Sequence, residues 1–299
     1  VQRITKTSIR VTILAIATCF FFSCKKEQVY FQKIEVVESN TTSRLNRIQF
    51  VNDTTCIIAG GERFLKAEVL RSTDGGYTWV SNTNFPETGK GQYGFGIDPM
   101  GRVWMSGFDG TMLFSADNGA SWAERRIGNW EFHVGISFAN NNRMIMVNAR
   151  AQKGGSIVVA DTNLQILKTT DYTFGLNDVQ MVNEQTGYVA GYGAILKTTD
   201  GGETWNYLDV KNDNFYALDC KSENEVWACG YNGTIVHTTD GGASWEKLRN
   251  GNNITAPRYK LLDIVFKDAN TGYAVGEKGL VIHTSNGGKD WEKYGEFTE

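Results

Sequence analysis

The chain has 299 residues, with 30 basic and 33 acidic side chains and a formal charge of −3. That balance excludes recognition driven by a strong net field, so nucleic acid is not an expected partner. With 33 glycines, 3 prolines and 12% aromatic residues, the composition fits an all-β protein rich in tight turns and long enough to bury a sizeable core.

Arg3, Lys6 and Arg10 precede the apolar run from Val11 to Phe22, which is followed by "SCKKE" at 23–27. About a dozen apolar residues suit the hydrophobic region of a signal peptide better than a bilayer span. Ser23 before Cys24 resembles a bacterial lipoprotein cleavage site. Residues 1–23 then read as a lipoprotein signal peptide, with Cys24 the lipidated first residue of the mature chain. Acyl chains on Cys24 would hold the protein in the bacterial cell envelope, at the outer membrane or the periplasmic face. Phe21 and Phe22 depart from the usual pattern of such sites. Cys19 after Thr18 is the alternative position, and ordinary secretion or an uncleaved anchor the alternative fate.

Beyond residue 40 the elements repeat. "STDGGYTW" at 72–79 recurs as "SADNGASW" at 115–122, "TTDGGETW" at 198–205, "TTDGGASW" at 238–245 and "TSNGGKDW" at 284–291. The tryptophans Trp79, Trp122, Trp205, Trp245 and Trp291 are spaced by 43, 83, 40 and 46 residues. The long interval holds two periods, and "GSIVVADTNLQIL" at 155–167 fills it as a degenerate copy without the glycines and tryptophan. Six units follow, starting near residues 44, 93, 131, 174, 214 and 258. The unit "LDIVFKDANTGYAVGEKGLVIHTSNGGKDWEK" (262–293) reads as four short strands joined by a polar turn, a glycine turn and the box. Such a meander cannot bury both of its faces alone. The copies are therefore expected to pack face to face in a ring, an all-β β-propeller of four-stranded antiparallel blades. Six blades are preferred and seven are the alternative, in one domain over residues 41–299. Residues 24–40 form a tether, within which "YFQKIEVVE" (30–38) resembles an outer strand and is a candidate for closing the ring on the last blade.

"TGYVAGYGAILKTTDGGETW" and "TGYAVGEKGLVIHTSNGGKDW" resemble the Asp-box (BNR, neuraminidase-repeat) propellers and, more narrowly, the photosystem II stability and assembly factor-like family, over about residues 44–295. The resemblance implies a non-enzymatic scaffold or assembly factor that binds a protein partner or a segment of a membrane protein, usually on seven blades. The wider Asp-box group implies the alternative, a glycan-binding protein or a sialidase-like glycoside hydrolase. Sialidases carry an Arg-Ile-Pro motif. The prolines here follow Phe85, Asp98 and Ala256, so the motif is absent and no catalytic residue is carried over.

The box carboxylates Asp74, Asp117, Asp200 and Asp240 fall in the turns between third and fourth strands, one per blade, and so do not converge on one substrate. The expected role is local, with the side chain accepting N–H bonds inside the turn. Asn286 fits that role, because an amide oxygen still accepts but is no general base. The glycines supply positive φ and the tryptophans plug the gaps between sheets.

Any central ligand is expected on the opposite rim. There the turns and strand starts offer Arg44, Arg63, Phe108, His133 and Arg150, with Tyr192, Tyr231 and Tyr259. Aromatic and arginine side chains converging on one funnel suit a peptide, a protein segment or a glycan. The competing reading is that the aromatics shield strand ends and the arginines are solvated. Glu62, Asp109 and Glu277 are loop acids on this rim with no sign of pairing. His237 and His283 occupy equivalent strand positions and do not aim at one point, so no metal and no cofactor is expected. Cys220 and Cys229 fall out of register on one hairpin, and with Cys56 read as buried small side chains.

Overall fold

The second strand of each repeat is its most apolar stretch, because it lies inside a sheet covered on both faces. "VWMSG" (Val103–Gly107), "GYVAG" (Gly187–Gly191) and "VWACG" (Val226–Gly230) are buried at every position. The computed structural model describes residues 37–82, 89–150, 154–210, 213–250 and 259–296. The chain divides into Val1–Ile34 and Glu35–Glu299, and the fold is that of the second unit. Cys24 and most of the candidate closing strand lie outside the described residues, while residues 37–40 form no strand.

Six four-stranded antiparallel sheets follow one another along the chain, spanning 45–81, 92–126, 133–172, 176–207, 215–249 and 261–296. Each is built from consecutive strands, so no strand is exchanged between blades among the described residues. The protein is thus a β-propeller with six blades. The first strands face the middle and line a cavity of about 610 Å³, with Arg47, Ser137, Asp178, Gln180, Asp219 and Asp263 on its wall.

Neighbouring blades join at two radii. Near the axis, side chains of one first strand bond the backbone of the next. Ser137 Oγ accepts from Met181 N (2.9 Å), Asp178 Oδ2 from Leu218 N (3.0 Å), Gln180 Oε1 from Cys220 N (3.0 Å) and Asp219 Oδ2 from Phe266 N (2.6 Å). Further out, the second glycine of every box after the first abuts an apolar side chain of the preceding blade. A Cβ on Gly119 would sit 2.3 Å from Ile57 Cδ1, and one on Gly202, Gly242 or Gly288 would sit 2.8, 2.5 or 2.6 Å from Ile145, Leu208 or Leu248. The box tryptophans fill the same junctions, Trp122 against Ile57 and Val69, and Trp245 against Leu208.

The third blade, which lacks the box, closes its turn differently. Asp161 Oδ1 accepts from Asn163 N (2.9 Å) and Gln165 N (2.8 Å), while Leu164 takes the left-handed conformation (φ 67°) and buries its side chain among Trp104, Phe138 and Met144. A leucine there carries a backbone cost that glycine avoids.

Gly119→Ala tests the junction against Gly101→Ala, a control with nearly the same φ (76° and 78°) but nothing within 4 Å of the new methyl. The control is expected to lose roughly 1 kcal/mol to the backbone alone. Gly119→Ala is expected to lose about 1–3 kcal/mol more through overpacking of Ile57, read by urea unfolding.

Candidate functional site

In each complete box a hydroxyl ends the third strand and starts the network. Ser72 Oγ donates to Asp74 Oδ1 (2.7 Å) and accepts from Gly76 N (2.9 Å). Asp74 Oδ1 accepts from Thr78 N (2.9 Å), and its Oδ2 accepts from Thr78 Oγ1 (2.6 Å). Asp117, Asp200 and Asp240 repeat these bonds with Ser121, Thr204 and Ser244. The Thr78 hydroxyl and amide hold the Asp74 carboxyl down at about 2. For Asp117, burial pushes the other way, but bonds from Ser121 prevail and bring it to about 2. A carboxylate fixed as an ionised acceptor has no proton to give. The first glycine ties the box to the first turn of its own blade, Gly75 N to Thr54 O (2.7 Å) and Gly201 N to Gln185 O (2.8 Å). Both turns therefore share one rim.

The fifth box exchanges donor and acceptor. Asn286 Oδ1 accepts from Asp290 N (3.0 Å), and Asn286 Nδ2 donates to Asp290 Oδ2 (2.8 Å). Amide plus carboxylate has replaced carboxylate plus hydroxyl, with the side-chain bond preserved.

On the opposite rim the predicted residues do not converge on one funnel. They separate into two patches, because each hairpin tip is tied to a neighbouring strand start. Gly110 N bonds Glu131 O (2.9 Å), Gly193 N bonds Asp213 O (2.8 Å) and Tyr231 N bonds Asn214 O (2.9 Å). The tips are thereby held around the rim.

The first patch, on blades 1–3, is aromatic and cationic. Phe108 and Phe132 stack at 3.9 Å, and Tyr93 meets both edge-on at 5.4 and 4.8 Å. The Arg63 guanidinium lies 5.0 Å above Phe108. Arg44 and Arg63 are exposed, and with Glu62 and these rings they line a cavity of about 470 Å³. Exposed Phe64 adds a ring 4.9 Å from Phe108.

The second patch, on blades 4 and 5, is a cavity of about 650 Å³ lined by Tyr192, Asp213, Asn214, Tyr216, Tyr231 and Asn232. Tyr192 and Tyr231 are 67% and 48% exposed, and the Lys260 ammonium lies 5.0 Å over the Tyr231 ring, so the Tyr192 ring is the more open to a ligand. The Asp213 carboxylate is occupied by the amides of Asn214 and Asn232.

Two predicted rim residues fall elsewhere. His133 is fully buried, with Nε2 3.1 Å from Asn129 Oδ1, because its strand position faces the interior of the third blade. Tyr259 is half-buried against the core of blades 5 and 6, under Lys278. The Arg150 side chain lies outside the described residues. Among the loop acids, Asp109 pairs with Lys90 (2.5 Å) and Glu277 with Lys260 (2.7 Å), so neither faces a second carboxylate. His237 stacks on Trp227 at 4.1 Å, and burial lowers its pKa. Among the described residues no group of three His, Cys, Asp or Glu could hold a metal ion.

Sequence reasoning missed the central cavity. Asp178, Asp219 and Asp263 stand on its wall with Arg47. Their signal was an aspartate inside an otherwise alternating strand ("LND", "ALD", "LLD"). Burial pushes the Asp178 and Asp263 carboxyls up, and Arg47 opposes the rise in both. Asp263 is exposed where it lines the cavity.

Two outcomes test these networks. Asn286→Asp places a second carboxylate against Asp290 and is expected to cost about 1 kcal/mol in thermal unfolding, regained when Asp290→Ser is added. For Asp263 the folded chain holds the proton more tightly than the unfolded one. Its contribution to stability is therefore present below the ordinary value of 3.8 and is lost as pH rises through the elevated value. Asp263→Asn is expected to remove that loss, so its advantage over the parent chain should appear above pH 4 and grow until Asp263 is ionised, read by urea unfolding across pH.

Comparison with known proteins agrees with this geometry. The family model described as "Photosynthesis system II assembly factor YCF48" matches residues 159–257. No curated protein matches the sequence. Among solved structures, YCF48 bound to a D1 peptide superposes with a TM-score of 0.65 at 16% identity, over 87% of this chain and 83% of that one. YCF48 from Cyanidioschyzon merolae gives 0.64 at 17% identity, over 87% of each chain. The virginiamycin B lyase from Staphylococcus aureus gives 0.69 at 11% identity, over 88% of each. The chain is a six-bladed β-propeller similar to the photosystem II assembly factors, and residues 159–257 carry the family match.

Proposed function

We propose that the protein is a non-enzymatic scaffold of the bacterial cell envelope, lipid-anchored through Cys24, whose aromatic and cationic rim on blades 1–3 binds a segment of a partner protein. The observation that carries this reading is the pairing of exposed Arg44 and Arg63 with the stacked rings of Phe108 and Phe132 beside an open cavity. Arginines beside aromatic rings make strong anchors for extended polypeptide: exposed Phe64 and half-buried Tyr93 and Phe132 supply contact area over the buried Phe108, and the guanidinium groups hold carboxylates or carbonyls. The similar YCF48 structure with a bound D1 peptide supports a polypeptide ligand. Buried carboxylates whose oxygens accept backbone N–H bonds, such as Asp178 and Asp219, support a non-catalytic interior.

A second reading, glycan binding, is favoured by the patch on blades 4 and 5, where the exposed ring of Tyr192 shares a cavity with Tyr231 and the side-chain amides of Asn214 and Asn232. Sugar rings stack on such faces, and their hydroxyls bond such amides.

The discriminating experiment is a pull-down of the mature protein from its own membranes, read by mass spectrometry. One stable protein partner is expected, lost on Arg44→Glu with Arg63→Glu and retained on Tyr192→Ala with Tyr231→Ala. The reverse pattern, together with binding on a glycan array, would replace the first reading with the second. Diacylglycerol on Cys24 in the same mass spectra checks the anchor.

A further inference from the structure

The junction between the last blade and the first does not follow the rule of the others. At the strand positions that face the preceding blade, Val179, Leu218, Ile264 and Phe266 are at most 3% exposed, whereas Ile48 and Phe50 of the first blade are 57% and 52% exposed. The opposing face of the last blade is bare as well. Val275 is 42% exposed, whereas the matching Ala190 and Cys229 are fully buried, and Val265 is 55% exposed where the matching Asp219 is 8% exposed. Gly76 would meet only Trp79 and Cys56 of its own blade, where the other second glycines press on a neighbour.

The polar bonds are unmatched too. Val179 N and Leu218 N both reach Asp178, and Ile264 N reaches Asp263. Ile48 follows Arg47, which has no acceptor to offer. Asp263 Oδ2, at the position of the Asp178 oxygen that bonds Leu218 N, has no partner among the described residues.

The chain's own approach covers only the outer part of this face. Thr41 Oγ1 and Ser43 Oγ donate to Glu68 Oε2 (3.1 and 2.8 Å), and Asn40 Nδ2 lies 3.5 Å from Trp79 O, beside the buried cluster of Cys56, Ile58 and Leu70. Ile48 and Phe50, nearer the axis, stay uncovered.

We propose that the cleft between the first and last blades receives an extended segment of a partner protein. Its apolar side chains cover Ile48, Phe50, Val265 and Val275, and its backbone supplies an N–H to Asp263 and a carbonyl to Ile48. An extended strand alone combines apolar alternation with donors and acceptors along its length. Asp178, Asp219 and Asp263 stand on the cavity wall with Arg47, and Lys221 pairs with Asp219 (3.0 Å), so among the described residues three carboxylates meet two cations and the segment presents a basic side chain toward the axis. The surface is separate from the rim and shares with that reading only the premise of a protein ligand.

The test uses the full chain and a fluorescent peptide, acetyl-Val-Lys-Val-Thr-Val-Lys-amide, followed by anisotropy and hydrogen exchange. Saturable binding is expected, weakened at least tenfold by Phe50→Asp and by Val265→Asp and unchanged by Arg63→Glu, with slowed exchange in Leu45–Phe50 and Leu261–Phe266. Circular dichroism checks that both variants fold. Absence of binding, or binding indifferent to both cleft variants, would overturn the proposal. So would Leu45–Phe50 amides already slow in the free monomer, which assigns the cleft to the chain's own preceding residues. A dimer by light scattering that Phe50→Asp dissociates would assign it to a second copy.

Discussion

A four-stranded meander whose faces are both apolar cannot stand alone, and the packing of one blade face on the next is the interaction on which this protein depends. Second strands such as Val226–Gly230 are buried at every position only because a neighbour lies on each side. The box glycines mark how close that approach is, since the space a Cβ would need on Gly242 is already taken by Leu208. Each blade thus carries part of the core of the preceding one, and stability is distributed over junctions.

The same constraint accounts for the conserved chemistry within the repeats. A turn that must present its second glycine and a tryptophan to another sheet has to be held in one geometry, and side-chain acceptors for its amides hold it so. Asp74 with Thr78 meets that need with an ionised acceptor and a hydroxyl donor. Asn286 with Asp290 meets it with the roles exchanged, and Asp161 with Leu164 meets it without glycine or tryptophan. Three sequences serve one packing requirement, which is why the box speaks to fold and not to catalysis.

Fold and site were readable in the sequence to different depths. Alternation, turn glycines and the tryptophan interval report local geometry, so strand order, the six units and the rim of the boxes followed from them. The open rim did not follow in the same way. Arg44, Arg63 and Phe108 do line one cavity, but Tyr192 and Tyr231 belong to another, because the bonds from Gly193 to Asp213 and from Tyr231 to Asn214 hold both tips at the start of the fifth blade. His133 begins a strand, as its place in the repeat indicates, yet a strand start faces inward or outward according to register, and here it faces inward.

By itself, the sequence determined the repeating unit and the turn that locks each box and favoured six blades over seven, because those depend on side chains within a few residues of each other and on their interval. Only the tertiary structure decided which side chains meet across blades. It placed Asp178, Asp219, Asp263 and Arg47 on one cavity wall although their strands are separated by whole blades, and it left Ile48 and Val265 uncovered at the one junction that the repeat does not specify. A repeat encodes its contact with the unit beside it in the chain. The meeting of the first unit with the last has no such local code, so only the arrangement of the whole chain reveals it.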